Sequence, residues 1–404
     1  MKINEINMTT KRIEVRFNKT QEAQFLKDIN NVSFMKNEYL AYNEMLYEQY
    51  RLGNSEVKYV TAYDFMKLFN NEILKYNPRL KFVKETNNKA LQKATQQKEQ
   101  AFLKHFKKTG GFPQFIKKRD RIKQGIFLMH GDTKYQWKRE YGKVKVPSYG
   151  WVKLKEKDYL LDSDHINSCT IKKHGDRYYI SFSIDNGKER QQPIKLTNKT
   201  LPPNSSRVAR GGDLGIKVYL TDSDGNRYFY PSKKVNEINK KMKRLDKKRS
   251  RSILQNKNNK QWEKKNLEKI NIKSRTLNWK KTQVIEGFIQ NVVNSFVKCE
   301  NQVCIEDLNI HGMIRNKHLS KLIQDRAFYK FKRKLIDKCS KIGKTLYLAD
   351  IFFPSSKRCS RCGSLKEDLK LRDRVYRCSC GLELDRDYNA AINLSMLPSG
   401  LTGI

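Results

Sequence analysis

Two closely spaced cysteine pairs carry the strongest local chemical signal in the sequence. Cys359 and Cys362 have the spacing C-x-x-C. Cys378 and Cys380 have the spacing C-x-C, and a glycine follows each pair. Zn²⁺ prefers four soft ligands in a tetrahedron, and two short cysteine loops supply two thiolates each. The pattern therefore predicts one structural Zn²⁺ in a ribbon with a strand over 374–377, and four thiolates leave no open position for catalysis at this metal.

The other cysteines are expected to be inert. Eight cysteines in 404 residues are too few for a disulfide scaffold, and half of them lie in the two pairs. This distribution favours metal binding in a reducing compartment. The remaining four are predicted to be small buried side chains: Cys169, Cys299, Cys304 and Cys339.

Three acidic residues stand at the ends of predicted elements in the second half of the chain. Asp213 ends a strand predicted over 208–213, Glu306 follows the apolar run 303–305, and Asp387 begins the last helix. Carboxylates that meet raise each other's pKa, and divalent cations remove that cost. Two Mg²⁺ about 4 Å apart can activate a water and stabilise the leaving 3′ oxygen of a phosphodiester.

The residues alone leave two of the three positions open. Asp385 is a rival of Asp387, since both stand near the start of the same helix. Asp307 is a rival of Glu306, because side chains alternate along a strand and the two point to opposite faces. The pattern does not indicate which face carries the site.

The elements that must position these residues follow the order β-β-β-α-β-α-β-α after residue 207. This is the order of the ribonuclease-H-like nuclease fold, a mixed sheet with helices on its faces. In that sheet the first and fourth strands are neighbours and the last helix crosses their ends, so the three carboxylates would meet. The predicted elements after strand 208–213 are a hairpin of 216–221 and 227–230, helix 235–298, strand 303–305, helix 319–342, strand 345–348, the cysteine insert 354–383 and a helix from 385.

The first half of the chain is predicted to be helical and then β. A strand over 9–17 precedes a helix that starts at Gln21 with Thr20 as its cap, and Pro78 separates two helices before residue 108. Residues 112–185 have β character. Within them, 168–173 and 177–185 form a hairpin that turns at 174–176. Residues 186–207 are polar and are predicted to be a linker.

The charge balance indicates a polyanionic partner. Lys and Arg number 84 against 42 Asp and Glu, a net charge of +42, and residues 233–251 hold ten basic residues against two acidic ones. Nucleic acid is the expected partner, and an enzyme of small metabolites is disfavoured; a merely solvated basic surface is the competing interpretation for the β region. The candidate nucleic-acid contacts combine basic and aromatic side chains: Phe112, Phe115, Lys117, Lys118, Arg119, Lys240, Lys243, Arg244 and Lys247.

We expect neither export nor membrane insertion. Residues 1–15 contain no apolar segment typical of a secretory signal. No run approaches the roughly 18 consecutive apolar residues of a membrane span. The prediction is a bacterial cytoplasmic protein that associates with the nucleoid when bound to DNA.

Several of these motifs together resemble one known family. Residues 212–217 (GDLGIK), 305–308 (IEDL), the cysteine pairs and 385–394 (DRDYNAAINL) resemble the RuvC-like motifs of TnpB proteins. These are encoded by bacterial insertion sequences and are related to small type V CRISPR effectors. The resemblance is sharp over 208–396 and weaker before it, where Gly111, Phe112, Pro113 and Phe115 carry it. Arg210, Gly211 and Gly212 stand where apolar residues are expected.

The resemblance implies the catalytic residues and the architecture. The family's motifs put the catalytic, Mg²⁺-binding carboxylates at Asp213, Glu306 and Asp387. The implied fold is an α/β and β multidomain protein, in which an N-terminal helical bundle and a β-barrel (wedge) precede an RNase-H-like RuvC nuclease domain with an inserted zinc ribbon. The implied domains are a wedge of 1–17 and 109–200, a helical recognition domain of 18–108 inserted in it, RuvC residues 208–353 and 384–404, and the ribbon 354–383.

The resemblance also implies a function. The expected activity is Mg²⁺-dependent, RNA-guided cleavage of double-stranded DNA, with a guide RNA from the transposon end supplying specificity by base pairing. One alternative is a guided DNA-binding repressor that does not cut, against which the three acidic residues argue. The other is an unguided structure-specific nuclease or transposase, although no further domain suited to transposon ends is evident.

Overall fold

A computed structural model describes residues 6–54, 56–57, 59–129, 137–189, 191–197, 201, 205–257, 259, 265–298, 300–315, 320–370 and 372–401. The chain forms two compact units, which we call the N-terminal unit (from residue 8 to 188) and the C-terminal unit (from 189 onward, with residues 1–7). Within the described residues, no helix is both long and apolar enough to cross a membrane.

A seven-stranded sheet belongs to the N-terminal unit and has the strand order β2-β6-β7-β1-β5-β4-β3. Its strands are β1 (Ile6–Arg16), β2 (Ile126–Leu128), β3 (Arg139–Glu140), β4 (Lys143–Val146), β5 (Gly150–Leu154), β6 (His165–His174) and β7 (Arg177–Glu189). The predicted hairpin is confirmed as β6 and β7, and its turn contains Gly175 in the left-handed region, with φ 66°. Residues 112–125 form no strand; they include a short 3₁₀ helix, Lys118–Lys123.

Helices pack with this sheet around one apolar core. They are α1 (Lys19–Arg51), α2 (Ala62–Leu68), α3 (Leu74–Tyr76) and α4 (Asn88–Phe106), with a π turn at Phe69–Ile73 and a 3₁₀ helix at Pro78–Glu85. The predicted break at Pro78 is confirmed. The predicted cap Thr20 is wrong, because it lies inside the first turn. Asn18 caps α1 instead: its side chain accepts from the Gln21 N–H at 2.8 Å, and the Gln21 side chain accepts from the Asn18 N–H at 3.1 Å.

A six-stranded sheet organises the C-terminal unit, with the strand order β11-β10-β9-β12-β13-β8. Its strands are β8 (Ile194–Lys195), β9 (Arg210–Leu214), β10 (Leu220–Asp222), β11 (Arg227–Tyr228), β12 (Gln302–Glu306) and β13 (Thr345–Ala349). As predicted, the first and fourth strands after residue 207, β9 and β12, are parallel neighbours. The predicted linker 186–207 is wrong in part, because β8 pairs in parallel with β13 at the edge of the sheet.

Helices cover both faces of this sheet. They are α5 (Ser232–Gln255), α6 (Lys265–Phe296), α7 (Ile310–Arg315), α8 (Ser320–Arg326), α9 (Phe328–Ile342) and α10 (Arg386–Met396), which continues into a 3₁₀ turn at Leu397–Leu401. The stretch predicted as one helix over 235–298 is two helices, α5 and α6, which pack on each other. The helix predicted over 319–342 is broken at Ala327, whose φ of 54° is left-handed and ends α8.

The two faces of β12 belong to different cores. Val303 and Ile305 pack in the core formed by α6 and α9. Cys304 packs on the opposite face with Leu394 of α10. We call this second side of the sheet the α10 face.

The three residues before Asp213 have definite packing roles. A Cβ on Gly211 would lie 1.9 Å from the Ala391 carbonyl oxygen, so only glycine lets α10 approach β9 this closely. A Cβ on Gly212 would lie 2.8 Å from the Phe296 ring on the opposite face. Arg210 is buried, but its guanidinium pairs with Asp222 at 2.8 Å. Where apolar side chains were expected, Gly211 and Gly212 therefore allow close packing against the backbone, and Arg210 forms an internal ion pair.

Candidate functional site

Asp213 and Glu306 lie at the carboxyl ends of adjacent parallel strands. The register pairs Gly211 with Cys304 and Gly212 with Ile305, so Asp213 and Glu306 come one residue further along each strand. Side chains alternate between faces of a sheet. Gly211 and Cys304 lie on the α10 face. Asp213 and Glu306 each come two residues later along the same strands, so they lie on the α10 face as well.

The rival Asp307 is held on the other side of the strand end. Its carboxylate forms an ion pair with Lys332 of α9, and Lys195 lies 4.0 Å away. Glu306 instead accepts a hydrogen bond from the Ser355 hydroxyl. Glu306 and Asp307 thus lie on opposite faces of the strand end and have different partners.

The rival Asp385 has a different task from Asp387. One oxygen of Asp385 accepts from the backbone N–H groups of Asp387 and Tyr388, at 3.0 and 3.1 Å, and so caps α10. Its other oxygen pairs with Arg227 at 2.8 Å. Asp387 stands in the first helical turn, with the Arg374 guanidinium 4.0 Å from its carboxylate.

The three predicted carboxylates share one electrostatic environment. Desolvation raises the pKa of Asp213 well above its usual value, and the charges of Glu306 and Asp387 raise it further. Burial also raises the pKa of Glu306, against the Ser355 hydrogen bond and Arg386, which lower it. Burial and then Asp385 raise the pKa of Asp387.

This arrangement suits hard divalent cations. Asp213, Glu306 and Asp387 are each half-buried, so their carboxylate oxygens remain partly accessible to ions. Cations that bind between them would remove the repulsion that raises the Asp213 pKa. Asp213 therefore lies close enough to Glu306 and Asp387 for their charges to raise its pKa.

The four cysteines of the two pairs also converge. Their sulfur atoms all lie within 4.8 Å of one another. Cys359 Sγ is 3.6 Å from Cys380 Sγ, and Cys362 Sγ is 3.5 Å from Cys378 Sγ. Cys378 and Cys380 lie in the turn of a two-stranded ribbon, β14 (Val375–Arg377) and β15 (Glu383–Asp385), and Cys359 and Cys362 lie in the segment before it. A set of four thiols at this separation can bind a metal ion, and its chemistry fits Zn²⁺.

The ribbon favours the thiolate form at one of these positions. Hydrogen bonds from the Ser364 hydroxyl and the Cys380 backbone lower the pKa of Cys378 to about 5. Burial raises the pKa of Cys359 to about 12. Of the cysteines outside the ribbon, Cys169, Cys304 and Cys339 are buried as predicted, and Cys299 lies outside the described residues.

The predicted nucleic-acid contacts have unequal exposure. Phe112 is half-buried and packs edge-on against Phe102 and His105, at 5.6 and 5.3 Å between ring centres, which limits its use for base stacking. Phe115 is 46% exposed. The basic candidates are all exposed: Lys117, Lys118, Arg119, Lys240, Lys243, Arg244 and Lys247. The last four recur at helical spacing on one side of α5, which we call the α5 basic face.

Sequence reasoning missed several residues that hold the site together. Ser355 fixes the Glu306 carboxylate, as described above. Asn389 and Asn393 of α10 are fully buried. Their amides donate to the Arg358 carbonyl at 2.7 Å, and Asn393 also donates to the Ser355 carbonyl at 2.8 Å. The signal available in the sequence was two polar residues at helical spacing among apolar ones.

Comparison with known proteins gives consistent relatives. Residues 328–394 match the family model described as Cas12f1-like, TNB domain. A putative RNA-guided DNA endonuclease of Streptomyces pristinaespiralis is 25% identical over 332 residues, 81% of this chain and 75% of that protein. The putative RNA-guided DNA endonuclease InsQ of Escherichia coli K12 is 23% identical over 404 residues, 95% of this chain and 90% of that protein. TnpB-like protein L79 of Acanthamoeba polyphaga mimivirus is 27% identical over 201 residues, 47% of this chain and 37% of that protein.

The chain is thus similar to TnpB-like proteins and to putative RNA-guided DNA endonucleases. The fold of this chain is similar to that of the protein in a cryo-EM structure of the Cas12f1-sgRNA-target DNA complex, with a TM-score of 0.52 and 16% identity. That likeness covers 93% of this chain and 82% of the other. It shows a similar mixed α/β fold.

Proposed function

We propose that this protein is a TnpB-family, RNA-guided DNA endonuclease with a RuvC-type site formed by Asp213, Glu306 and Asp387. The observation that carries the proposal is the placement of Asp213 and Glu306 at the ends of neighbouring parallel strands, where the charges of Glu306 and Asp387 raise the pKa of Asp213. The names of the relatives, RNA-guided DNA endonucleases, support the same activity. The order of the six-stranded sheet supports a ribonuclease-H-like nuclease domain.

The proposed mechanism assigns a task to each residue of the site. Asp213, Glu306 and Asp387 would hold two Mg²⁺, which when bound supply a nucleophilic water at neutral pH and stabilise the leaving 3′ oxygen. Ser355 orients the Glu306 carboxylate. Asp385 caps α10 and thereby fixes the first turn that presents Asp387.

The architecture proposed for the rest of the chain follows the same family. The seven-stranded sheet supports a wedge domain of residues 1–17 and 109–200, and the helices of 18–108 support a recognition domain. RuvC residues 208–353 and 384–404 enclose a zinc ribbon of 354–383, with one structural Zn²⁺ on its four thiolates. We propose that the protein acts in the bacterial cytoplasm, on nucleoid DNA.

Its proposed partners are a guide RNA from the transposon end and double-stranded target DNA. The sgRNA and target DNA of the structural neighbour support these two classes of partner. The net charge of +42 supports a large polyanion. The α5 basic face is the candidate backbone contact in the C-terminal unit.

The test is a cleavage assay with matched control variants. The protein is purified with its co-expressed RNA and incubated with DNA that matches the guide, with Mg²⁺ or with EDTA. We expect cutting only with Mg²⁺, and a loss of about a thousandfold or more in Asp213→Asn and Glu306→Gln, because either change removes a charge that binds the metal. Asp307→Asn, the neighbour on the other face, is expected to cut at nearly the wild-type rate.

Three results would contradict the proposal. Equal cutting by Asp213→Asn and wild type would remove the assigned site. Loss of cutting in Asp307→Asn but not in Glu306→Gln would place the chemistry on the wrong face of the strand. RNA-dependent DNA binding by the wild type without cleavage would replace the nuclease by a guided repressor.

A further inference from the structure

Two lysines of the N-terminal unit are buried without a carboxylate partner. Lys36 of α1 is 6% exposed and Lys98 of α4 is 9% exposed. Among the described residues, neither ammonium forms an ion pair. Lys36 Nζ donates to the Gln124 side chain at 3.0 Å, and Lys98 Nζ donates to the Gln114 carbonyl at 2.5 Å. Buried charges are ordinarily paired, because desolvation is costly.

The surroundings of these lysines add positive charge. Burial first, and then the nearby Lys98 and Lys172, lower the pKa of Lys36 to about 8. Lys172 extends from β6 across Gly125, where a Cβ would lie 2.8 Å from the Lys172 Cε. The absence of a side chain at Gly125 thus makes room for the third lysine beside Gln124.

The segment between the lysines is fixed in place. The Asn37 side chain of α1 accepts from the Ile116 N–H at 2.8 Å and donates to the Ile116 carbonyl at 3.1 Å. Residues 114–125 are therefore held against the helix that carries Lys36. Such an arrangement does not need a ligand to form, so it is preorganised for one.

An anion with several oxygens satisfies this arrangement best. An ammonium has three N–H donors, and one protein acceptor is present for each of Lys36 and Lys98. The remaining donors and the uncompensated charge match the oxygens of a phosphate group. In a chain of net charge +42, the phosphate in greatest supply is that of a nucleic-acid backbone.

We propose that Lys36, Lys98 and Lys172 form a phosphate-binding site for the backbone of a bound nucleic acid, either the guide RNA or the target DNA. This inference rests on the proposed function, in which the chain binds both. The competing explanation is structural: the two buried lysines would only tie residues 114 and 124 to the helices.

The two explanations predict opposite changes in stability. In a ligand site the free protein carries an uncompensated cost, so Lys36→Met should raise the unfolding temperature of the RNA-free protein. If the two lysines served only to donate hydrogen bonds to residues 114 and 124, Lys36→Met should lower the unfolding temperature. Lys172→Gln changes an exposed residue and is expected to leave the fold intact, so it tests binding even where a buried variant does not fold.

The experiment measures binding by the full chain over a series of salt concentrations. One arm measures affinity for the guide RNA identified by co-purification, and the other measures affinity of the RNA-loaded protein for matched DNA in EDTA. We expect Lys36→Met and Lys172→Gln each to weaken binding about tenfold in one arm, and to reduce the slope of log K against log salt by about 1. Lys27→Met is the control, since Lys27 lies on the same helix but already pairs with Glu85 at 2.8 Å.

Each outcome has a definite meaning. An effect in the RNA arm assigns the phosphate to the guide, and an effect in the DNA arm assigns it to the target. Unchanged affinity and slope in both arms, or a lowered unfolding temperature in Lys36→Met with unchanged binding by Lys172→Gln, would overturn the site while leaving the proposed function intact. Failure of the wild type to bind either nucleic acid would instead overturn the proposed function itself.

Discussion

At the scale of single residues, the acidic site depends on groups that fix the carboxylates as well as on the carboxylates themselves. The Ser355 hydroxyl donates to Glu306 and lowers its pKa against the effect of burial. Such partners orient metal ligands and keep them ionised. In the proposed site Ser355 would therefore position Glu306, and removal of its hydroxyl should raise the pKa of that carboxylate.

We expect Ser355→Ala to shift the pH profile of cleavage. Loss of the donor raises the pKa of Glu306, so the carboxylate becomes protonated at a higher pH, and the acid limb of the profile moves to higher pH. The apparent affinity for Mg²⁺ should fall by about tenfold to a hundredfold. Cleavage rates measured against pH and Mg²⁺ concentration check this, with Ser250→Ala, exposed on α5, as the control. An unchanged acid limb would mean that Ser355 does not act on Glu306.

At the scale of elements, the site depends on how closely α10 lies on β9. Gly211 allows this contact, and Asp385, Asn389 and Asn393 join the helix to the cysteine ribbon. Asp387 is presented by the first turn of the same helix. A change that displaces α10 should therefore affect stability and activity together.

We expect Gly211→Ala to destabilise the C-terminal unit. The new methyl would overlap the Ala391 carbonyl, and overpacking of this kind costs about 1–3 kcal/mol in the free energy of unfolding. Displacement of Asp387 should also reduce cleavage strongly. Gly287→Ala is the matched control, because nothing lies within 4 Å of a Cβ there and alanine favours its helix, α6. Denaturant unfolding and cleavage assays measure both effects; equal behaviour of the two variants would refute the close-contact argument.

The cysteine ribbon should couple to the acidic site through β15. That strand ends at Asp385, the cap of α10. We expect Cys378→Ser to lower the Zn²⁺ content, the unfolding temperature and the cleavage rate together, since loss of one ligand weakens a structural zinc site. Elemental analysis, thermal unfolding and cleavage assays measure these effects, with Ser379→Ala as the control. Normal metal content in Cys378→Ser would contradict the assignment of this ligand.

At the scale of the whole molecule, the net charge of +42 implies that nucleic-acid binding weakens steeply as salt rises. The α5 basic face is an ordered part of that charge. Its residues lie on one side of an exposed helix, so they can follow a backbone together. Other lysines of the same helix lie on a different side.

We expect the triple change of Lys240, Lys243 and Lys247 to Gln to lower affinity for nucleic acid. The slope of log K against log salt should fall by about 3, one for each lost phosphate contact. The control is the same change at Lys234, Lys241 and Lys248, which removes equal charge from another side of α5. Equal losses in both variants would show that the helix contributes only diffuse charge.

The sequence by itself determined the features that depend on local chemistry. The cysteine pairs predict their own convergence, because two short loops carry all four thiols. The hairpin turn at Gly175 and the helix break at Pro78 follow from the backbone preferences of those residues. The order of elements was enough to predict that β9 and β12 are neighbours.

Only the tertiary structure decided the features that depend on which surfaces pack together. Alternation along β12 places Glu306 and Asp307 on opposite faces, but only the structure shows that α10 packs on one face and that Lys332 of α9 pairs with Asp307 on the other. The role of Arg210 became evident only with its partner Asp222, and the burial of Phe112 only with Phe102. The physical reason is that burial and pairing are set by residues distant in sequence, whereas turns, caps and metal-binding pairs are set by neighbours.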